Sequence, residues 1–244
     1  MSRTESTASD DSLQKIGSVG FLSGAILVAV GSLLLPPAAI PSANWQEALV
    51  QLSGKTQLFQ LCALLLAFGY WAVMVGLVAV YRSIDGRAAA WAQVGFYFAL
   101  LGTTMWTVGM SLDISYPAAI ANWQAAPAAT KDGAFILILA IPTFGRGLFP
   151  LEVIVIWLSY AMLGRAIVRS TAYCSELGQI GMILGIIGML LGITQVFTGR
   201  EASVVLYIAL VGCTLLWWLA MGIWLARKAW WVRYDALPSL PKGA

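Results

Sequence analysis

The chain has 244 residues, of which 60% are hydrophobic and only 10% charged, with a net charge of +3 and no histidine. Such a balance leaves no room for an attached soluble catalytic domain. Its basic residues lie in short stretches beside Trp and Tyr, as membrane anchors do, which excludes a nucleic-acid surface. The lack of histidine excludes His-ligated haem and copper, His-based hydrolytic triads and the commonest general base.

Residues 1–14 are rich in Ser, Thr and Asp and are expected to form a disordered cytoplasmic tail. Six apolar runs follow, at about 16–35, 57–81, 88–112, 133–164, 178–197 and 202–226. Each supplies the roughly 20 residues a helix needs to cross about 30 Å of hydrocarbon. The runs are continuous rather than short and alternating, so they read as helices and not as barrel strands. The expected fold class is all-α: a six-transmembrane-helix bundle of three hairpins over residues 15–228, with a cytoplasmic tail at 229–244. The first run is preceded by Glu5, Asp10 and Asp11 beside Arg3 and Lys15, which is not the clean basic start of a secretory signal. It is therefore taken as a retained first helix.

Assigning the loops alternately to two faces separates the charges. Arg3, Lys15, Arg82, Arg87, Arg165, Arg169, Arg227, Lys228, Arg233 and Lys242 fall on one side. Lys55, Lys131 and Arg200 fall on the other, and Arg146 lies near a boundary. The basic face is expected in the cytoplasm of the cell, with both termini inside the inner membrane.

Small residues recur along the odd-numbered helices. Gly17, Gly20, Gly24 and Gly31 on helix 1 match Gly178, Gly181, Gly185 and Gly192 on helix 5 in spacing, and helix 3 carries Ala92, Gly95 and Ala99. Such stripes let backbones approach closely where lipid removes the hydrophobic drive for association. The outer loops repeat as well: Ala43-Asn-Trp-Gln46 returns as Ala121-Asn-Trp-Gln124, each ahead of a lone lysine. Asn44 with Glu47 suits the start of a short interfacial helix that presents Trp45, Leu49 and Leu52. A second such helix is expected to begin after Pro117 and to carry Trp123.

The fourth run is too long. As one helix its 32 residues would span about 48 Å. Counting outward from Arg165 puts Arg146 about 28 Å away, at the outer boundary, and residues 133–145 at or above it. Pro142 and Pro150 bracket Gly145-Arg-Gly147, so a kink or unwound stretch is expected near 142–150. Glu152 is the one acid set clearly within a run. On an unbroken helix it would stand about 240° from Arg146, and the break is what would let the two meet. Gln57 and Gln60, Thr107 and Asp113, and Thr194 and Gln195 reach the same outer half from helices 2, 3 and 5. A polar cluster of Arg146, Glu152, Asp113, Gln60, Thr107 and Gln195, opening outward, is the candidate site.

No P-loop, GxGxxG, GxSxG or CxxC is present, and every lysine lies at a helix end or in a loop. Cys62, Cys174 and Cys213 show no paired spacing. No enzyme activity, metal or cofactor is expected.

The hairpin order carries three further motifs: Asp113 followed by Ala119-Ile-Ala-Asn-Trp-Gln-Ala-Ala-Pro-Ala128, Gly147-Leu-Phe-Pro150, and Leu177-Gly-Gln-Ile-Gly181 through Trp218-Leu-Ala-Met-Gly-Ile-Trp224. With them the chain resembles a bacterial group of six-helix integral membrane proteins classed as a domain of unknown function. The resemblance covers residues 15–228 and implies fold and location only. The first functional reading is a non-enzymatic structural or accessory membrane subunit that packs as a homo-oligomer or within a larger complex in the bilayer. The alternative is a small-ligand or ion carrier or binding protein built on the Arg146–Glu152 pocket.

Overall fold

A computed structural model describes residues 3–36, 52–199 and 203–230. Among them are six long helices and no strand: α1 (Arg3–Leu34), α2 (Thr56–Arg82), α3 (Ala89–Ala125), α4 (Lys131–Val168), α5 (Ser175–Thr198) and α6 (Val204–Trp230). Five of these, all but α3, are long and apolar enough to cross a membrane. Helix α3 carries Thr103, Thr104, Thr107, Ser111, Asp113 and Ser115, and falls short on polarity rather than on length. The interfacial helix expected at 44–52, apart from Leu52, lies outside the described residues, as do Arg200 and the chain from 231 onward.

Neighbouring helices pack in chain order, and α6 closes the ring against α1. The glycine stripes decide which contacts are close. A methyl group added at Gly24 would lie 2.7 Å from the Gly69 carbonyl and 2.9 Å from the Val73 nitrogen, so α1 and α2 meet backbone to backbone. On α5, a methyl at Gly185 would lie 2.6 Å from the Trp157 carbonyl, and one at Gly178 would lie 2.7 Å from the Val168 nitrogen. Helix α5 is therefore pressed on α4, and its pairing with α6 is the lightest in the ring. Three equivalent hairpins are not what forms. Ala161 and Gly164 on α4 offer α5 a flat seat, whereas α6 presents the bulky Trp217 ring to Gly181. Within the ring, aromatic side chains fill the centre: Tyr70 packs on Trp106 at 4.5 Å, Tyr160 on Trp217 at 5.4 Å, and Trp157 on Tyr207 at 6.0 Å between ring centroids.

Three expectations about helix ends are corrected. Helix α4 runs unbroken through Pro142 and Pro150, and α3 runs through Pro117 to Ala125, so Trp123 rides on α3 and not on a separate helix. Each proline withholds one N–H, from the carbonyls of Ile138, Arg146 and Asp113 respectively. An unwound stretch would strand several backbone groups at once, and the helical hydrogen bonding continues past each proline. Helix α1 starts at Arg3, because no Gly or Pro between Arg3 and Lys15 stops a helix nucleated in the apolar run from propagating into the leader once expected to be loose.

At about 1.5 Å per residue, α3 and α4 reach roughly 55 Å, well beyond their neighbours. Their far ends rise together as a tower, where Tyr116, Ile120 and Ile138 form a second small core with Leu52 and the α2 residue Phe59. Trp123 packs on Phe135 at 5.7 Å, and Lys131 Nζ sits 5.8 Å from the Trp123 ring centroid.

The opposite end gathers most of the described basic residues, with Lys55, Lys131 and Arg146 left at the tower end. Arg169 lies over Trp91, and Lys228 lies over Tyr173. Tyr173 itself is buried in the α4–α5 connection, with its hydroxyl 2.5 Å from Ser83 Oγ in the α2–α3 connection. Burial pushes this phenol up to about 12, against the opposing effect of the Ser83 hydrogen bond. An unfolded tyrosine titrates near 10, so the fold favours the neutral phenol. Its contribution to stability is fully present below about pH 10 and is lost as pH rises toward 12. An alkaline melting series should show a fall in Tm over that window that is smaller in Tyr173→Phe than in the wild-type protein. Identical profiles would show that Tyr173 does not titrate there.

Candidate functional site

A cavity of about 410 Å³ lies at the end of the ring that carries the tower. Its wall comes from α2 (Phe59, Leu66), from one face of α3 (Trp106, Gly109, Met110, Asp113, Tyr116), from α4 (Pro142, Gly145, Arg146, Phe149, Glu152), and from the end of α5 (Gln195, Gly199). Positions 106, 109, 113 and 116 recur every three or four residues, as do 142, 145, 149 and 152, so each helix turns a single stripe to the cavity.

Of the six side chains in the predicted cluster, Asp113, Arg146, Glu152 and Gln195 line this cavity. Thr107 and Gln60 do not. Thr107 Oγ1 accepts from the Trp71 indole at 2.9 Å, and Gln60 Nε2 donates to the Ile114 carbonyl at 3.0 Å, so both tie α2 to α3. No break in α4 is needed to bring Arg146 and Glu152 to one space. Six helical residues leave them about 120° apart by the shorter way, within the arc of a broad wall, and the long Arg side chain covers part of that arc.

Depth sorts the charges. Arg146 is exposed and Asp113 half-buried, whereas Glu152 is only 3% exposed. Among the described residues, the guanidinium thus lies toward the mouth and the buried carboxyl toward the floor. Glycine shapes that floor, because a methyl at Gly109 would come 3.5 Å from Glu152 Oε2 and no closer to anything else. The absence of a side chain at 109 leaves space beside the carboxylate. Gln195 is 2% exposed, and its Nε2 donates to Ser203 Oγ at 2.9 Å. That bond orients the amide, and its buried Oε1 accepts no hydrogen bond among the described residues. The Trp106 indole N–H and the Tyr116 hydroxyl are likewise buried without a hydrogen-bond partner among the described residues. Gly199 closes α5 at φ +79°, a conformation suited to glycine, and its N–H reaches the Gln195 carbonyl at 3.0 Å.

The residues missed from sequence are Trp106, Gly109, Tyr116 and Phe149. Their signal was the three-four spacing with Asp113 and with Glu152, which marks the stripe but not which side of a helix faces a cavity. No group of three or more His, Cys, Asp or Glu residues able to hold a metal ion occurs among the described residues. No family model matches the chain, and neither curated proteins nor solved structures give a match. What the geometry defines is an all-helical bundle, with several helices fit to span a membrane, that encloses a polar-floored cavity at one end.

Proposed function

We propose that this protein is a multi-pass protein of the inner membrane, crossing six times with both termini in the cytoplasm, and that it binds or carries a small ligand in the outer-end cavity. One observation carries the binding reading: Asp113, Arg146, Glu152 and Gln195, drawn from three helices, line a single cavity large enough for a small molecule. Buried ionisable groups at membrane depth are costly, and a cavity in which to use them is the usual reason to keep them. The clustering of Arg82, Arg87, Arg165, Arg169, Arg227 and Lys228 at the opposite end supports the orientation. The reading assigns no enzymatic chemistry and no cofactor.

A thermal-shift screen of purified protein in mild detergent, against a panel of short-chain amines, amino acids, carboxylic acids and sugars, tests the binding reading. Compounds that raise the wild-type Tm should fail to do so in Gly109→Leu, which fills the space beside Glu152, and in Arg146→Leu. Leucine is a better helix former than glycine, so Gly109→Leu should fold. A panel without hits, or hits that survive Gly109→Leu, would remove the cavity from consideration.

The accessory-subunit reading draws on a different observation. Ile136, Leu137 and Phe144 are 67%, 70% and 58% exposed on the tower part of α4, outward of Arg146. Leu137→Lys should then reduce oligomer or complex size in detergent without altering ligand response.

A further inference from the structure

We infer that the basic end of the bundle holds an anionic phospholipid on the outer face of the α3–α4 seam, with its phosphate between Arg165 and Arg169. The inference rests on the bundle spanning a membrane and not on the cavity, which lies at the other end and shares no residue with this seam.

Spacing puts the two cations on one face of α4. Leu158, Met162, Arg165 and Arg169 recur every three or four residues and form a single stripe. Other faces of the helix make the packing contacts. Ile156, Ser159 and Leu163 meet the α3 glycines, Trp157, Ala161 and Gly164 meet those of α5, and Tyr160 and Ile167 are buried in the core. The arginine stripe therefore turns away from the ring, with Arg165 half-buried and Arg169 exposed.

Helix α3 sets the second arginine in place. The Arg169 guanidinium lies 5.5 Å from the centroid of the exposed Trp91 ring, a contact that leaves its N–H groups at the rim as a fork suited to phosphate. Neither Arg165 nor Arg169 has an ion pair or a side-chain hydrogen bond among the described residues. Arg87 lies in the short turn Gly86–Ala88 that touches α4, and brings a further positive charge to the same seam. Asp85 and Glu176 are the nearest acids in the flanking connections, and the Cys174 thiol engages Glu176. The acids at the start of α1 belong to a helix that packs on α2 and α6.

Below the cations the seam is apolar and open. Val94, Tyr97 and Leu101 of α3 are 44%, 57% and 50% exposed, and Leu158 and Met162 carry the α4 stripe toward mid-bundle. A phosphate with acyl chains fills both parts, whereas a soluble phosphate ester uses only the upper one. The ammonium of a zwitterionic lipid would be brought beside two guanidinium groups, so a net negative headgroup is favoured.

Native mass spectrometry of the purified full-length protein in mild detergent tests the site. The probes are dioleoylphosphatidylglycerol and dioleoylphosphatidylcholine, which share their acyl chains. With about a fivefold gain for each basic side chain near a headgroup, the anionic lipid should bind about twentyfold tighter. Arg165→Gln and Arg169→Gln should each weaken it about fivefold and leave the zwitterionic lipid unchanged. Trp91→Leu should weaken it about two- to threefold, and Trp91→Phe less. Arg82→Gln, at the same end but on α2, should change nothing. Should Arg165→Gln fail to fold, the exposed Arg169 and Trp91 variants carry the test. Equal binding of the two lipids would overturn the inference. Equal losses in Arg82→Gln and Arg169→Gln would overturn it too, by showing a diffuse attraction to the whole basic end. Displacement of the anionic lipid by equimolar inorganic phosphate would overturn the lipid as occupant. A small-molecule screen without hits bears only on the cavity and leaves these outcomes unaffected.

Discussion

Gly185→Val is expected to prevent the bundle from assembling, with a loss well above 3 kcal/mol. Overpacking in a filled core typically costs about 1–3 kcal/mol when side chains can shift. Here they cannot. The added Cβ would lie 2.6 Å from the Trp157 carbonyl and 2.7 Å from the Ala161 Cα, with the Ala161 nitrogen nearer still. Those atoms belong to the backbone of α4, so relief requires the α4–α5 pair to separate along its length. Gly212→Ala provides the contrast, since nothing lies within 4 Å of a methyl there, and the change should gain up to about 1 kcal/mol from helix propensity. Recovery of monodisperse protein in detergent and resistance to SDS unfolding would measure both. Wild-type behaviour of Gly185→Val would mean that α5 does not sit on α4 as described.

Trp157→Ala should cost about 3–5 kcal/mol, the range for deleting a large aromatic from a packed interior. The ring is 1% exposed and touches Tyr160 and Tyr207, at 6.1 and 6.0 Å between centroids, while Gly188 of α5 gives way to it. Tyr207 in turn packs on Phe149 at 5.1 Å, and Phe149 lines the cavity. Removing Trp157 therefore loosens the wall of the site as well as the core. Ligand-induced stabilisation should fall along with Tm, and Trp157→Phe should recover much of both. A Trp157→Ala protein that melts like wild type would show that the aromatic centre is not what holds the ring together.

Four of the cavity-lining residues, Asp113, Arg146, Glu152 and Gln195, were legible in the sequence, and the reason lies in the energetics of the bilayer. A carboxylate at Glu152 is too costly in lipid to face outward, so its inward direction follows from its position in the fourth run. Asp113 and Gln195 follow from reaching the same level on other helices. Gln60 and Thr107 reach that level too, yet they bond across the α2–α3 seam to Ile114 and Trp71. Height along a helix is written in the count of residues, but rotation about the axis depends on the neighbour. For the same reason Arg146 and Glu152 needed no break in α4: the width of the cavity wall, which no single helix encodes, spans the angle between them.

The prolines mark where local rules lost to the whole. Pro117, Pro142 and Pro150 each remove one hydrogen bond, and sequence rules end or bend a helix at such places. In the bundle all three are absorbed, because opening the helix there would expose more backbone than the proline itself leaves unpaired.

The chain by itself determined its helical state, the positions of its six apolar runs and the separation of basic from apolar segments, because these depend on transfer energies that act residue by residue. It also marked the glycine stripes as contact faces. Tertiary structure alone decided that α5 leans on α4 rather than on α6, that α3 and α4 rise together as a tower, and that Gly109 leaves room beside Glu152. Those outcomes depend on which surfaces fit at close range, and the fit of two surfaces is a property of the pair.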